Sequence, residues 1–168
     1  SYTVVLNQKL GGVFAHEAFG HLSESDLLYE NEKLRELMVL GKRFGSEALN
    51  IVDDGSLPGG RGTHPLDDEG VPTRKNYLIR EGVLVGRLHS RETAAKMREG
   101  VTGNARAVGW RFPPIVRMTN TYIEPGGASF DDLIRDIELG LYARDMIGGQ
   151  TMVEMFTFSA ACGYMIRH

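Results

Sequence analysis

Isolated glycines divide this chain into short segments, and no other feature of the sequence restricts its fold as strongly. Most of the 21 glycines among its 168 residues stand singly between stretches with a clear apolar pattern. Because glycine favours turns and weakens helices and strands, this distribution predicts many tight turns between short elements. Hydrophobic residues make up 42% of the chain, enough for a core, and the length predicts one domain over residues 1–168.

The patterned segments predict an α+β fold with mostly antiparallel sheet, in which β-hairpins accompany clustered helices. Residues 76–88 contain two alternating runs that meet at Glu81-Gly82, which is the pattern of a hairpin. Apolar spacing predicts two helices within residues 8–43, separated by a break near residues 22–26. A third helix is predicted over residues 90–99.

Weaker patterns predict the remaining elements. Alternating apolar residues indicate strands at residues 4–6, 50–53 and 115–123. The capping box that begins at Ser129 predicts a helix that runs to about Arg144. Residues 151–159 and 163–166 are predicted as the arms of a final hairpin, with Cys162 in its turn.

Charge and cysteine content restrict the setting of the protein. The net charge is −3, and Lys and Arg are mixed with Asp and Glu, so we expect no nucleic-acid partner. A single cysteine cannot form an internal disulfide, and neither a membrane-spanning stretch nor a secretory leader is visible, which predicts a cytoplasmic protein with no membrane partner. Because the chain opens at Ser1 directly on a strand pattern, we expect it to be cut from a longer polypeptide.

The hexapeptide HEAFGH, from His16 to His21, carries the candidate chemistry. Neutral imidazoles are good zinc ligands, and a Glu beside the metal can take a proton from a water whose pKa zinc lowers to about 7. On a regular helix, residues five apart lie roughly 140° apart around the axis. A π turn would return both histidines to one face, and Gly20 makes such a distortion easier. We therefore expect an irregular or ending helix at His21.

Other candidate ligands have weaker contexts, and the spacing of HEAFGH is by itself equally compatible with packed structural histidines. His64, His89 and His168 lie in loop-like or terminal sequence, where surface positions are expected. Cys162, as a lone thiol, is expected to pack as a small hydrophobe and not to bind metal. The acidic run at residues 67–69 lacks the alternation of a calcium loop and predicts a turn.

Seven sequence blocks, in order, resemble the TldD half of the TldD/TldE (PmbA) peptidases, which were once described as modulators of DNA gyrase. Several blocks in the same order are far more specific than one short motif. The blocks span most of the chain: HEAFGHLSESD (16–26), VDDGSLPGGRG (52–62), DDEG (67–70), TGNAR (102–106), RMTNTYIEPG (117–126), GGQ (148–150) and FSAACGYMI (158–166).

The resemblance implies the catalytic TldD-type subunit and, within it, a fragment of the C-terminal catalytic domain that is truncated at both ends relative to the family. It implies a zinc peptidase that hydrolyses short or unfolded peptides, with His16 and His21 as metal ligands and Glu17 as general base. It also implies a partner subunit of the TldE/PmbA type, or a homodimer. In this family the third ligand is a cysteine in a glycine-rich segment downstream of the FSAACGYMI block, so Cys162 does not match it.

Two other functions compete with this interpretation. In one, the domain is a non-catalytic assembly or peptide-binding module of a heteromeric complex, and the histidines are structural. Glu17 argues against that alternative, because a structural site does not need a carboxylate that binds no metal. In the other, the same three residues serve a different metal hydrolase, such as an amidase, and the pattern of residues without the resemblance does not separate amidase from peptidase.

Overall fold

The computed structural model describes residues 2–152 and 155–167, which form a mixed α+β fold. The helix at Gln8–Ala15 continues directly into a π turn at His16–Gly20 and a 3₁₀ turn at His21–Ser23. The elements in chain order are β1 (Thr3–Leu6), α1 (Gln8–Ala15), α2 (Ser25–Glu30), α3 (Glu32–Leu37), β2 (Ile51–Asp54), β3 (Lys75–Arg80), β4 (Val83–Leu84), α4 (Arg91–Met97), β5 (Ala105–Arg106), β6 (Ile115–Val116), β7 (Thr121–Ile123), α5 (Phe130–Ile134), β8 (Leu139–Met152) and β9 (Met155–Arg167).

The strands of the described residues form three sheets, and nearly all of their pairings are antiparallel. The first sheet has the order β1-β8-β9, the second β4-β3-β2-β7, and the third is the pair β5-β6. The pairing of β1 with β8 is parallel, whereas β8 and β9 form a long antiparallel hairpin. The predicted α+β class with mostly antiparallel sheet and hairpins is therefore confirmed. No helix in the described ranges is long and apolar enough to cross a membrane.

Helix α1 lies between the first two sheets, which fixes the position of the HEAFGH segment. It packs against β8 on one side and β7 on the other, and the π turn that follows contacts the same strands. Asn7 caps the helix by accepting from Leu10 N at 3.0 Å, and it also accepts from Asp145 N at 3.2 Å. One side chain thus begins the helix and attaches it to a bulged part of β8. Buried apolar residues of the surrounding core are Ala15, Ala18, Phe19, Leu28, Leu34, Met38, Ile51, Leu78, Ile79, Leu84, Leu88, Val116 and Met118.

The buried carboxylate of Asp53, at the end of β2, connects three of the sequence blocks. It is fully shielded from solvent and accepts from Asn104 Nδ2 at 2.8 Å and from Thr119 Oγ1 at 2.6 Å. Its other oxygen accepts from Thr119 N at 2.8 Å and from Thr121 Oγ1 at 2.7 Å. The blocks VDDGS, TGNAR and RMTNT therefore meet around one residue, and this cluster sets the position of the chain after β6.

The hairpin at Glu81-Gly82 is confirmed, and its turn shows why glycine is needed there. Both turn residues have positive φ, 50° at Glu81 and 76° at Gly82, which is the mirror-image turn typical of two-residue hairpins. A Cβ on Gly82 would lie 2.2 Å from the carbonyl oxygen of Gly45. Any side chain would therefore force the neighbouring loop away.

The helix predicted from Ser129 to about Arg144 is wrong beyond its first turns. The capping box is present, with Ser129 Oγ accepting from Asp132 N, but helix α5 ends at Ile134. Residues 139–152 form β8 instead, because they pair on one side with β1 and on the other with β9. Pairing with distant strands has overridden the helix propensity of this stretch.

Three further predictions need correction. The hairpin predicted with arms at residues 151–159 and 163–166 is wrong, because residues 155–167 form the single strand β9, in which Cys162 lies opposite Arg144. The hairpin that the structure contains instead pairs β8 with β9, and residues 153–154 between them are outside the described residues. The strand predicted over residues 115–123 is two short strands in different sheets. The second helix is interrupted at Asn31, whose side chain caps α3 by accepting from Leu34 N.

Candidate functional site

The π turn predicted from the five-residue spacing of the histidines is present. The backbone N–H of His21 donates to the carbonyl oxygen of His16, five residues earlier. The two imidazole rings consequently lie side by side, with centroids 4.6 Å apart and planes inclined by 82°. A regular α-helix would have separated these rings around its circumference.

The reason we expected for Gly20 is wrong, because its backbone is ordinary. Gly20 has helical dihedral angles, φ −59° and ψ −61°, which any residue can adopt. The glycine instead leaves space for Met118, since a Cβ at this position would lie 2.1 Å from Met118 Sδ and the methionine side chain would have to move. The glycine lets the π turn pack closely against the segment that leads to β7.

Glu17 lies on the inner side of the π turn, 7% exposed, where strand β8 crosses it. The Thr151 hydroxyl is 2.6 Å from Glu17 Oε2 and 2.7 Å from the Glu17 carbonyl oxygen, and donates to this pair. A Cβ on Gly149 would lie 2.6 Å from Glu17 Oε1. Strand β8 therefore holds the carboxylate with one hydroxyl and makes room for it with one glycine.

A buried carboxylate and a guanidinium lie behind His21. Glu24 Oε2 is 3.1 Å from His21 Nδ1 and 3.3 Å from Arg117 Nη1. Glu24 is 1% exposed, and its second oxygen, Oε1, has no hydrogen-bond partner in the structure. All three residues lie along the same cavity.

That cavity has a volume of about 560 Å³ and is lined by both polar and apolar groups. Glu17, His21 and Arg117 line it together with residues 149–151 of β8. The apolar part of its wall comes from Leu22, Leu27, Leu34 and Met152. The candidate base and one candidate ligand thus face a space large enough for part of a peptide.

Burial favours the neutral form of His16, which is the form that binds metals. Desolvation, and then the neighbouring His21, lower the pKa of His16 below the usual histidine value, although Glu17 and Glu24 act in the opposite direction. A neutral imidazole presents a nitrogen lone pair without first losing a proton.

Two adjacent imidazoles, one of them kept neutral by burial, fit the nitrogen ligands that zinc prefers. They form only part of a ligand set, because residues 2–152 and 155–167 contain no group of three or more His, Cys, Asp or Glu side chains that could hold a metal. Cys162 is exposed on β9, its Sγ lies 3.9 Å from Arg144 O, and it does not line the cavity.

The remaining histidines are placed differently from what the sequence suggested. His89 was expected at the surface but is 1% exposed, because Ser25, Thr93 and Glu99 surround its ring with hydrogen-bonding partners. His64 is half-buried in the loop after β2, and His168 is outside the described residues. The acidic run at residues 67–69 forms a turn, as predicted, with Asp67 Oδ1 accepting from two backbone N–H groups.

Sequence reasoning missed the residues of β8 that support Glu17. Gly149 lies in the GGQ block and Thr151 directly follows it, yet no local pattern connected them with Glu17. The one sequence signal that could have pointed to these residues is their place in or beside the sequence blocks, where small and polar residues occur without an apolar pattern. What they contact depends on the tertiary fold.

Comparisons with known proteins place the chain in a family. Residues 1–168 match the family model described as the PmbA/TldA metallopeptidase C-terminal domain. A protein named metalloprotease from Synechocystis sp. is 55% identical, over 100% of this chain and 36% of that protein. A Saccharolobus solfataricus protein named zinc metalloprotease TldD homolog is 38% identical, over 99% of this chain and 38% of its own. The chain thus spans little more than a third of these relatives.

Solved structures share the fold. A Thermotoga maritima protein described as a modulator of a DNA gyrase superposes with a TM-score of 0.81 at 28% identity, covering 99% of this chain and 38% of that one. TldE from Thermococcus kodakarensis superposes with a TM-score of 0.77 at 23% identity, covering 98% of this chain and 40% of that one. Together, the sequence blocks, the fold and the match over all 168 residues show that the chain belongs to the PmbA/TldD metallopeptidase family and corresponds to its C-terminal domain.

Proposed function

We propose that this chain carries the histidine and glutamate residues of a zinc-dependent metallopeptidase that hydrolyses short or unfolded peptides. His16 and His21 would hold the metal, and Glu17 would act as the general base. The observation that carries the proposal is the π turn, which brings two imidazole rings to a centroid distance of 4.6 Å. Glu17 lies between them in sequence and lines the adjoining cavity. The names of the relatives, several of which are called metalloproteases, support the same chemistry.

Each side chain has a distinct task in this proposal. Bound zinc would supply Lewis acidity that polarises the peptide carbonyl and lowers the pKa of water. Glu17 takes a proton from the attacking water and can pass it to the leaving amine. Its position beneath β8, with Thr151 donating to Oε2 at 2.6 Å, restrains the carboxylate before substrate arrives. Leu22 and Leu27 contribute apolar surface to the wall of the cavity beside it.

A further ligand is required beyond the two imidazoles, and we propose that it is the downstream cysteine implied by the family resemblance. Cys162 is not proposed, because it is exposed on β9 and does not line the cavity. We also propose a partner subunit of the TldE/PmbA type, or a second copy of the protein. The likeness to a solved TldE structure supports a shared fold for the two subunits.

The proposal is tested by metal removal in the full-length protein with its partner. Zinc content and cleavage of an unfolded peptide are measured before chelation, after chelation and after zinc is restored. We expect activity to be lost and regained with the metal, and His16→Ala and His21→Ala to lose both metal and activity. His64→Ala is the matched control, since His64 lies in the loop after β2 and does not line the cavity. Cleavage that persists in the chelated protein, or full zinc content in both histidine variants, would contradict the proposal.

A further inference from the structure

We infer that Glu24 is a positioning residue: held by Arg117, it fixes the tautomer and orientation of His21 so that Nε2 is the nitrogen available to a metal. The inference rests on the proposed role of His21 as a ligand. In this role Glu24 binds neither the substrate nor the metal and acts only through His21.

The hydrogen bond between Glu24 and His21 defines which ring nitrogen carries the hydrogen. Glu24 Oε2 lies 3.1 Å from His21 Nδ1. An ionised carboxylate can only accept a hydrogen bond, so Nδ1 must donate. In a neutral imidazole the lone pair is then on Nε2, which is the usual outcome when a carboxylate orients a metal-binding histidine.

Arg117 makes a buried carboxylate tolerable at this position. Its Nη1 lies 3.3 Å from the same oxygen, Oε2, so one cation and one imidazole share one acceptor. A carboxylate that is 1% exposed is unfavourable unless a charge or hydrogen bonds compensate. These contacts compensate the charge only in part, because Oε1 is buried and has no hydrogen-bond partner among the residues that the structure describes. Packing alone would favour an apolar side chain, so the carboxylate is better explained by what it does to His21.

The backbone on both sides of Glu24 is held by an isolated β-bridge to Leu88, which is distant in sequence. Ser25 N donates to Leu88 O at 3.1 Å, and Leu88 N donates to Ser23 O at 2.9 Å. Glu24 itself is extended, with φ −70° and ψ 111°, immediately after the 3₁₀ turn that contains His21. This bend places the side chain of Glu24 back against the imidazole three residues earlier.

Arg117 is fixed in the same way, by the cluster around Asp53. Its N–H donates to Asn104 O at 2.8 Å, and its carbonyl oxygen accepts from Asn104 Nδ2 at 3.0 Å. The same Asn104 amide donates to Asp53 Oδ1 at 2.8 Å. A continuous set of contacts thus runs from the Asp53 cluster through Arg117 and Glu24 to His21. Residues that hold a ligand are effective when their own positions are set by rigid neighbours.

The test uses the full-length protein with nitrogen-15-labelled histidine. In the metal-free protein, NMR of the ring nitrogens reports the tautomer of His21, whose signals are assigned by their loss in His21→Gln. Zinc affinity is then measured by competition with a chromophoric chelator. The variants are Glu24→Ala, Glu24→Gln, which retains an oxygen acceptor, and Glu36→Gln, a control that removes an exposed carboxylate from α3.

We expect the wild type, Glu24→Gln and Glu36→Gln to carry the hydrogen on Nδ1, and Glu24→Ala to shift it to Nε2. Zinc affinity should fall about 10- to 100-fold in Glu24→Ala, fall less in Glu24→Gln and stay at the wild-type value in Glu36→Gln. Glu24→Met, which fills the same buried volume, replaces alanine if that variant does not fold.

An unchanged tautomer or unchanged zinc affinity without the Glu24 carboxylate would overturn the inference. A wild-type protein that binds no zinc would instead contradict the proposed function. The two failures are distinguishable, because the tautomer is recorded in the absence of metal.

Discussion

Two buried carboxylates in this domain, Asp53 and Glu24, have opposite environments. Both are almost completely shielded from solvent. Asp53 accepts hydrogen bonds on both oxygens from the neutral side chains of Asn104, Thr119 and Thr121 and from a backbone N–H. Glu24 interacts through one oxygen with a histidine and an arginine, and its other oxygen has no hydrogen-bond partner within residues 2–152 and 155–167.

This difference in hydrogen bonding indicates that Asp53 has a structural role, whereas Glu24 supports the candidate metal site. A fully satisfied buried acceptor stabilises the segments that it joins. An incompletely satisfied one lowers stability and is explained by another task. Substitutions around Asp53 should therefore affect folding, whereas substitutions around His21, Glu24 and Glu17 should affect metal binding or catalysis.

The largest expected effect is on stability and comes from Asp53→Asn. The amide would present an N–H₂ group to at least one pair of donors, leaving them unsatisfied in a buried site. Each buried group left without a partner costs about 1–3 kcal/mol, so we expect the free energy of unfolding to fall by about 3 kcal/mol. Urea denaturation measures this loss. Asp136→Asn, at an exposed aspartate, is the control. A stability equal to that of the control would show that the Asp53 cluster does not join these segments.

The next effect, on catalysis, comes from Gly149→Ala. The added methyl group would lie 2.6 Å from Glu17 Oε1, so the carboxylate must move. A displacement of about 1 Å at a reacting group can lower activity about a hundredfold. We therefore expect the rate of peptide cleavage to fall about a hundredfold, with zinc content unchanged. Gly148→Ala, whose Cβ would meet no atom within 4 Å, is the matched control. Equal activity in the two variants would show that Gly149 of β8 does not determine the position of Glu17.

The smallest effect is a pH dependence of stability that arises at His89. Desolvation lowers the pKa of His89 in the folded protein, although Glu99 acts to raise it. The unfolded chain therefore takes up a proton more readily, and the contribution to stability is complete above about pH 6.5. It is lost as the pH falls through that value toward the lowered pKa. Urea denaturation at a series of pH values should show less loss on acidification in His89→Gln; parallel curves for the two proteins would contradict this.

Local sequence patterns correctly predicted the features that depend on residues close together in the chain. The π turn follows from two histidines five residues apart, and the hairpin at Glu81-Gly82 follows from a turn that requires positive φ. His16, Glu17 and His21 were singled out for the same reason, since a short segment contains all three. Their adjacency is now a structural fact, whereas their catalytic roles are proposals.

The features that failed depend on contacts between distant segments. The first part of β8, up to Arg144, was predicted as a continuing helix, because its pairing with β1 cannot be recognised from its own sequence. The burial of His89 depends on partners from α2, α4 and the loop after it. Likewise, nothing in the GGQ block indicates that Gly149 would lie against Glu17. Supporting residues of a site are therefore the last to be visible in a single sequence.

The central claim is that Glu17 acts as general base beside a metal held by His16 and His21. Glu17→Gln in the full-length protein with its partner tests it most directly, by zinc analysis and peptide cleavage on the same sample. General-base assistance contributes about 10²- to 10⁴-fold, so we predict full zinc content with cleavage reduced by at least about a hundredfold. Glu36→Gln should match the wild type in both measurements. Near-normal cleavage by a zinc-loaded Glu17→Gln protein would contradict the account.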